Sequence, residues 1–309
     1  MNFYPIGLPG CPWGEQERSQ WRARQSPRRS YEQDVVRRVR ALSDRFEKIQ
    51  YGQLEYGDDV YTLYALRTRR WEAALPTALI TGGVHGYETS GISGALEFLE
   101  QHTQAYSGKM NFLVAPCVSP WAYERINRWN FNAVDPNRNF RVGGPALESV
   151  ALMELVRSVS DRYLLHIDLH ETTDSDESEF RPALSARDGK EFEPGHIPHG
   201  FYLVADEYKP QLEFQQAIIS AVQKVTPIAS PDEKGEIIQS PVVAHGVITY
   251  PVAELALCAS ITSAPFTTTT EVYPDAADIT PDECTRAQVV AVCAALDFAL
   301  EARTKDRQP

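Results

Sequence analysis

The chain has 309 residues, 43% hydrophobic and 23% charged, with a formal net charge of −12. That length gives room for one α/β domain with a sizeable core, and the acidic balance argues against a nucleic-acid partner, which needs a basic face. No apolar run reaches the ~18 residues of a membrane span, and Met1–Ile6 lacks the basic and apolar regions of a secretory leader.

Residues 1 to 29 are rich in Pro, Gly and Trp and then in Arg. They read as an extended arm on the domain formed by 30–309, with Arg18, Arg22, Arg24, Arg28 and Arg29 as a solvated basic surface. Ser30 with Gln33 resembles a capping box. Val35, Val39, Leu42, Phe46 and Ile49 then share one helical face. Residues 50 to 66 fit a β-hairpin around Gly57-Asp58-Asp59.

From Thr77 the pattern alternates. Strands are expected at Thr77–Thr81, Phe112–Val118, Tyr163–Leu169, Phe201–Ala205 and Phe266–Tyr273. Helices are expected around Ile92–Leu99, over Val150–Val159, and after Pro210, a good first helical residue. The last helix opens with Thr280 as N-cap, Pro281 at the first position and Glu283 closing a capping box. Alternating strands and helices, with no repeat or linker, predict a single α/β domain with a mixed, largely parallel sheet flanked by helices. Cys11, Cys117, Cys258, Cys284 and Cys293 are scattered and read as free thiols, mostly buried; together with the N-terminus they make the cytoplasm the expected location.

Three segments carry the chemistry: Gly82-Gly83-Val84-His85-Gly86-Tyr87-Glu88, Asp135-Pro136-Asn137-Arg138-Asn139-Phe140 and His166-Ile167-Asp168-Leu169-His170-Glu171. In α/β sheets ligands bind at the carboxyl ends of strands, and His85, Glu88 and His170 all fall there. Two imidazoles and a carboxylate suit Zn²⁺ with a fourth position open to water. Such an ion lowers the pKa of water and polarises a carbonyl. Glycines 82, 83 and 86 allow a tight turn and a close approach. Asp168, two residues from His170, shares its strand face and suits a group orienting that ligand. His166, deeper on the same face, reads as a satisfied core histidine. Asn137 and Arg138 offer donors matched to a carboxylate. Arg125 and Arg128 are candidates for an oxyanion. Glu271, among four threonines, is either an edge-strand glutamate facing water or a buried carboxylate that could act as a base.

In that order these residues resemble the zinc carboxypeptidase family, of the carboxypeptidase A type: HxxE as His85-Glu88, Asn-Arg as Asn137-Arg138, a strand-borne His170, and Glu271 on a late strand. The resemblance spans residues 82 to 273. It implies a zinc-carboxypeptidase-like (phosphorylase/hydrolase-like) fold, with one Zn²⁺ per chain held by His85, Glu88 and His170. It also implies Glu271 as general base, Arg128 at the oxyanion, and Asn137 and Arg138 on the substrate's terminal carboxylate. Tyr250 would be the family's mobile tyrosine; it reads equally as a plain sheet residue.

The chain departs from digestive carboxypeptidases in compactness: only 81 residues lie between Glu88 and His170, and Ser119-Pro120-Trp121-Ala122 stands where Asn-Pro-Asp-Gly is usual. That is similar to the related succinylglutamate desuccinylase/aspartoacylase group, which cuts the amide of N-acyl amino acids. The 38 residues after Glu271, mostly one helix, are the more carboxypeptidase-like feature. The expected activity is therefore hydrolysis of a C-terminal peptide bond, with N-acyl amino-acid deacylation as the alternative. Either substrate carries a free carboxylate; neither a nucleic acid nor a membrane is expected. The acidic stretch Asp174–Glu179 and Glu254 are candidates for favouring a basic substrate residue.

Overall fold

The computed structural model describes residues 4–305. Its strands are β1 (Phe46–Tyr56), β2 (Asp59–Thr68), β3 (Thr77–Gly82), β4 (Asn111–Ala115), β5 (Tyr163–Glu171), β6 (Tyr202–Asp206), β7 (Glu236–Ile237), β8 (Ser240–Ala244), β9 (Val247–Tyr250) and β10 (Phe266–Val272). They form one mixed sheet in the order β1-β2-β4-β3-β5-β10-β6-β9-β8-β7. The centre, β4-β3-β5-β10, is parallel throughout, and antiparallel strands extend it on both sides. β3 is buried along its whole length, which is why Thr77-Ala-Leu-Ile-Thr81 reads as a run without alternation.

The helices are α1 (Glu15–Ala23), α2 (Arg37–Ala41), α3 (Thr89–Glu97), α4 (Pro120–Arg125), α5 (Leu147–Val159), α6 (Arg181–Arg187), α7 (Leu212–Val222) and α8 (Pro281–Lys305). On one sheet face Leu165, Ile167 and Leu169 of β5 join a core with Ile92 and Leu96 of α3 and Val292 and Leu296 of α8. On the other, Leu79 and Leu113 pack with Leu152 and Val156 of α5. The α8 capping box forms: Thr280 N–H donates to Glu283 Oε2 at 2.9 Å, and Glu283 N–H donates to Thr280 Oγ1 at 3.3 Å.

Two expectations near the N-terminus are corrected. Residues 1 to 29 do not simply run extended, because α1 lies within them. Trp13 and Trp21 are buried against Trp129. Arg18, Arg22 and Arg29 are half-buried carbonyl clamps, whereas Arg24 and Arg28 are exposed as expected. Arg18 donates to Asn132 O, Arg22 to Phe131 O, Arg28 to Arg125 O, and Arg29 to Gly86 O and Tyr87 O. The helical face ending at Phe46 and Ile49 also stops early: the helix gives way after Asp44, and both residues belong to β1. There Phe46 pairs with Thr68 and Ile49 with Ala65. Long-range hairpin pairing overrides a fortuitous helical spacing.

Candidate metal centre and active-site cavity

The site lies where β3 and β5 end. From Leu165 onward β5 alternates: Leu165, Ile167 and Leu169 enter the core of α3 and α8, and His166, Asp168 and His170 face the other way. Register sets His170 beside Glu271 of β10, and Glu271 beside Tyr202 of β6. After β3, Gly83 takes a positive φ of 59°. A side chain at Gly86 would come within 2.0 Å of the α4 backbone, so its close approach is to the protein itself. Glu88 is the N-cap of α3. Glu171, at the end of β5, caps the same helix by accepting from Ser90 N–H at 2.7 Å and Thr89 N–H at 3.2 Å. The two ligand-bearing segments are thereby locked together.

His85, Glu88 and His170 are buried, with potential ligand atoms all within 4.8 Å of one another. Glu88 Oε1 is 2.8 Å from His85 Nδ1, and Oε2 is 2.8 Å from His170 Nδ1. The far ring nitrogens face carboxylates: His85 Nε2 is 3.1 Å from Asp135 Oδ1, and His170 Nε2 is 2.7 Å from Asp168 Oδ2. An acceptor at Nε2 holds a proton there, so a cation displacing the Nδ1 proton would meet the Nδ1 lone pair beside Glu88. Glu88 Oε2 is buried yet makes no hydrogen bond. Burial would raise the Glu88 carboxyl, but His170 and His85 draw it down to about 2. Two inward ring nitrogens, one against each oxygen of a buried carboxylate, fit a divalent cation, and an N₂O donor set suits zinc.

Around this centre runs a cavity of about 800 Å³, lined by His85, Arg128, Asn137, Arg138, Tyr250 and Glu271 among others. Glu271 is half-buried and accepts from Thr172 Oγ1 at 2.8 Å. Burial pushes its carboxyl up to about 7, against the pull of His170 and Thr172. Arg128 donates to Asp135 at 3.1 Å, to Asp176 at 3.1 Å and to Tyr87 Oη at 3.3 Å. Burial would raise Asp135, yet Arg128 and His85 hold it well below the usual carboxylate range. Arg138 is exposed and donates to Asn137 O. Asn137 is buried and partly committed: its Oδ1 accepts from Cys258 N–H at 2.7 Å, and its Nδ2 is 3.3 Å from His170 Nε2.

Arg125 points elsewhere, into Tyr61 and Asp59. His166 is buried beside Thr81 Oγ1, and burial pushes its ring down to about 4, so it stays neutral. The two candidates for a basic-residue pocket do not serve. Glu254 is exposed and bonds Tyr208. Of the acidic stretch only Asp176 lines the cavity, and it is paired with Arg128. Sequence reasoning gave no role to Asp135, Tyr87 and Thr172, and it offered Asp176 to a substrate rather than to Arg128. Asp135 and Tyr87 had a visible signal, standing beside the candidate residues in their own segments; Thr172 and the Asp176–Arg128 pairing arise only through folding.

No family model and no curated protein matches the sequence. Solved structures do match. A protein of Shewanella amazonensis described as a "putative metallopeptidase" is 20% identical, with a TM-score of 0.66 over 85% of this chain and 91% of that one. A metallo-carboxypeptidase of Burkholderia cenocepacia is 14% identical, with a TM-score of 0.58 over 94% and 70%. Carboxypeptidase A of Helicoverpa armigera is 14% identical, with a TM-score of 0.59 over 89% and 74%. The chain has the metallo-carboxypeptidase fold. Fold alone does not assign activity, so the chemistry is argued from the cavity.

Proposed function

We propose that this chain is a zinc carboxypeptidase that hydrolyses the last peptide bond of a substrate. One observation carries the reading. His85, Glu88 and His170 converge behind one cavity, with His85 in its wall beside a half-buried carboxylate at Glu271 and an exposed guanidinium at Arg138.

His85, Glu88 and His170 would hold one Zn²⁺, which when bound supplies Lewis-acid polarisation and a water of lowered pKa. Glu271 takes the proton from the attacking water and passes it to the leaving amine. A carboxyl near neutrality, held in place by Thr172, suits both transfers. Arg128, braced by Asp135, Asp176 and Tyr87, directs its donors at the oxygen that gains charge, and bracing before reaction is what makes such donors effective. Arg138, helped by Asn137, holds the terminal carboxylate; its planar fork matches a carboxylate's two oxygens. Tyr250 closes the far wall over the bound residue, and Asp168 keeps His170 oriented.

The test is hydrolysis by the zinc-loaded protein of N-blocked dipeptides, run beside N-acetyl and N-succinyl amino acids. Chelator-sensitive cleavage of the dipeptides is expected. Cleavage of the acyl amino acids alone would replace the reading with a deacylase. Glu271→Gln should abolish turnover and retain zinc; an active variant would remove Glu271 as the base.

A further inference from the structure

The cavity has a charge asymmetry that the carboxypeptidase reading does not use. Each carboxylate lining it already has a partner. Asp135 and Asp176 pair with Arg128, and Asp188 pairs with Arg187. Glu171 caps α3, and Glu271 accepts from Thr172. Arg18, Arg138 and Arg141 line the same cavity and form no ion pair among the described residues. Arg18 spends one donor on Asn132 O. Arg138 spends one on its neighbour's carbonyl, and Arg141 is exposed.

This surplus stands in a chain with 42 acidic residues against 30 Lys and Arg. Acids to neutralise it are plentiful, yet among the described residues none forms an ion pair with these three arginines. Like charges along the wall of one cleft focus the field and raise the local concentration of opposite charge. One terminal carboxylate engages Arg138 and leaves Arg18 and Arg141 unanswered. The sheet residues Val204, Thr269 and Tyr250 that also line the cavity offer no cation, so a second anionic group would be met by Arg18 and Arg141.

Building on the carboxypeptidase reading, we propose that the substrate is an acidic peptide, with an aspartate or glutamate side chain in its last two residues bound by Arg141 and Arg18. Guanidinium forks receive carboxylates through paired, charge-assisted hydrogen bonds.

The experiment compares kcat/KM for N-blocked dipeptides bearing Glu or isosteric Gln at either position. A preference for Glu of about tenfold or more is expected at one position, the size of a hydrogen-bonded charge pair. It should shrink in high salt and fall toward unity in Arg141→Gln and Arg18→Gln, while Arg141→Lys keeps part of it. Equal rates for Glu and Gln at both positions would overturn the acidic preference and leave the carboxypeptidase reading standing. If no peptide is cleaved, that reading fails by itself. Calorimetric binding of the same peptides to zinc-loaded Glu271→Gln then decides: tighter binding of the Glu peptide upholds the preference, and equal binding removes it.

Discussion

Glu148 provides a quantitative test of how this protein is held together behind its site. It lies in the first turn of α5 and is 1% exposed. Its side-chain partners are Asn130, whose Nδ2 is 3.3 Å from Oε2, and Ser119. Burial pushes its carboxyl from 4.5 up to about 7. The folded chain keeps this proton to near pH 7, while the unfolded chain releases it near 4.5. Between those values the folded state binds more protons, so stability falls as pH rises and then levels off. With 1.36 kcal/mol per unit, those two values make the loss between pH 5 and pH 8 about 2.5 kcal/mol. Glu148→Gln keeps the shape and an oxygen for Asn130 but cannot ionise. The assay is urea unfolding of both proteins at pH 5 and pH 8, with equal m-values as the check that the denatured states match. The variant's advantage should grow by about 2.5 kcal/mol from pH 5 to pH 8; other titrating groups cancel in the comparison. An advantage unchanged with pH would refute the account of Glu148 as a neutral buried acid.

Asp135→Asn removes the charge that orients His85 and braces Arg128, so zinc affinity should fall by about 10- to 100-fold, measured by competition with a chromophoric chelator; unchanged affinity would remove Asp135 from the site. Catalysis needs Glu271 ionised, so kcat/KM should rise with pH through its pKa, with a limb at or below about 7 because a bound cation favours the charged form. Thr172→Val deletes a hydrogen bond to that charged form and should move the limb upward by about one unit; a limb that stays in place would show that Thr172 does not tune the base.

Much of the centre could be read without coordinates. Local periodicity and capping chemistry marked β3, β5, β10 and α8, because a buried parallel strand and a Thr-Pro-Asp-Glu helix start leave signatures within a few residues. Strand-end placement then singled out His85, Glu88 and His170 as a candidate donor set, and the structure brings them within ligand reach of one another. The short β7 and β8 left no comparable trace, since two- and five-residue strands at a sheet margin carry too little pattern to separate from turns.

Other features depend on residues far apart in the chain. Arg18, Arg22 and Arg29 looked like solvated charge because a guanidinium that clamps a distant carbonyl has no local signature; only docking of the N-terminal segment reveals it. Glu254 is excluded from the cavity by its bond to Tyr208, and the acidic stretch is neutralised there because Arg128 reaches Asp176 across 48 residues. The sequence by itself determined which side chains are chemically able to hold a metal and at which strand ends they stand, since ligand type and strand alternation are local properties. Tertiary structure alone decided how each is oriented, shielded or left unpaired, because burial and ion pairing arise only when segments remote in the chain share one low-dielectric space.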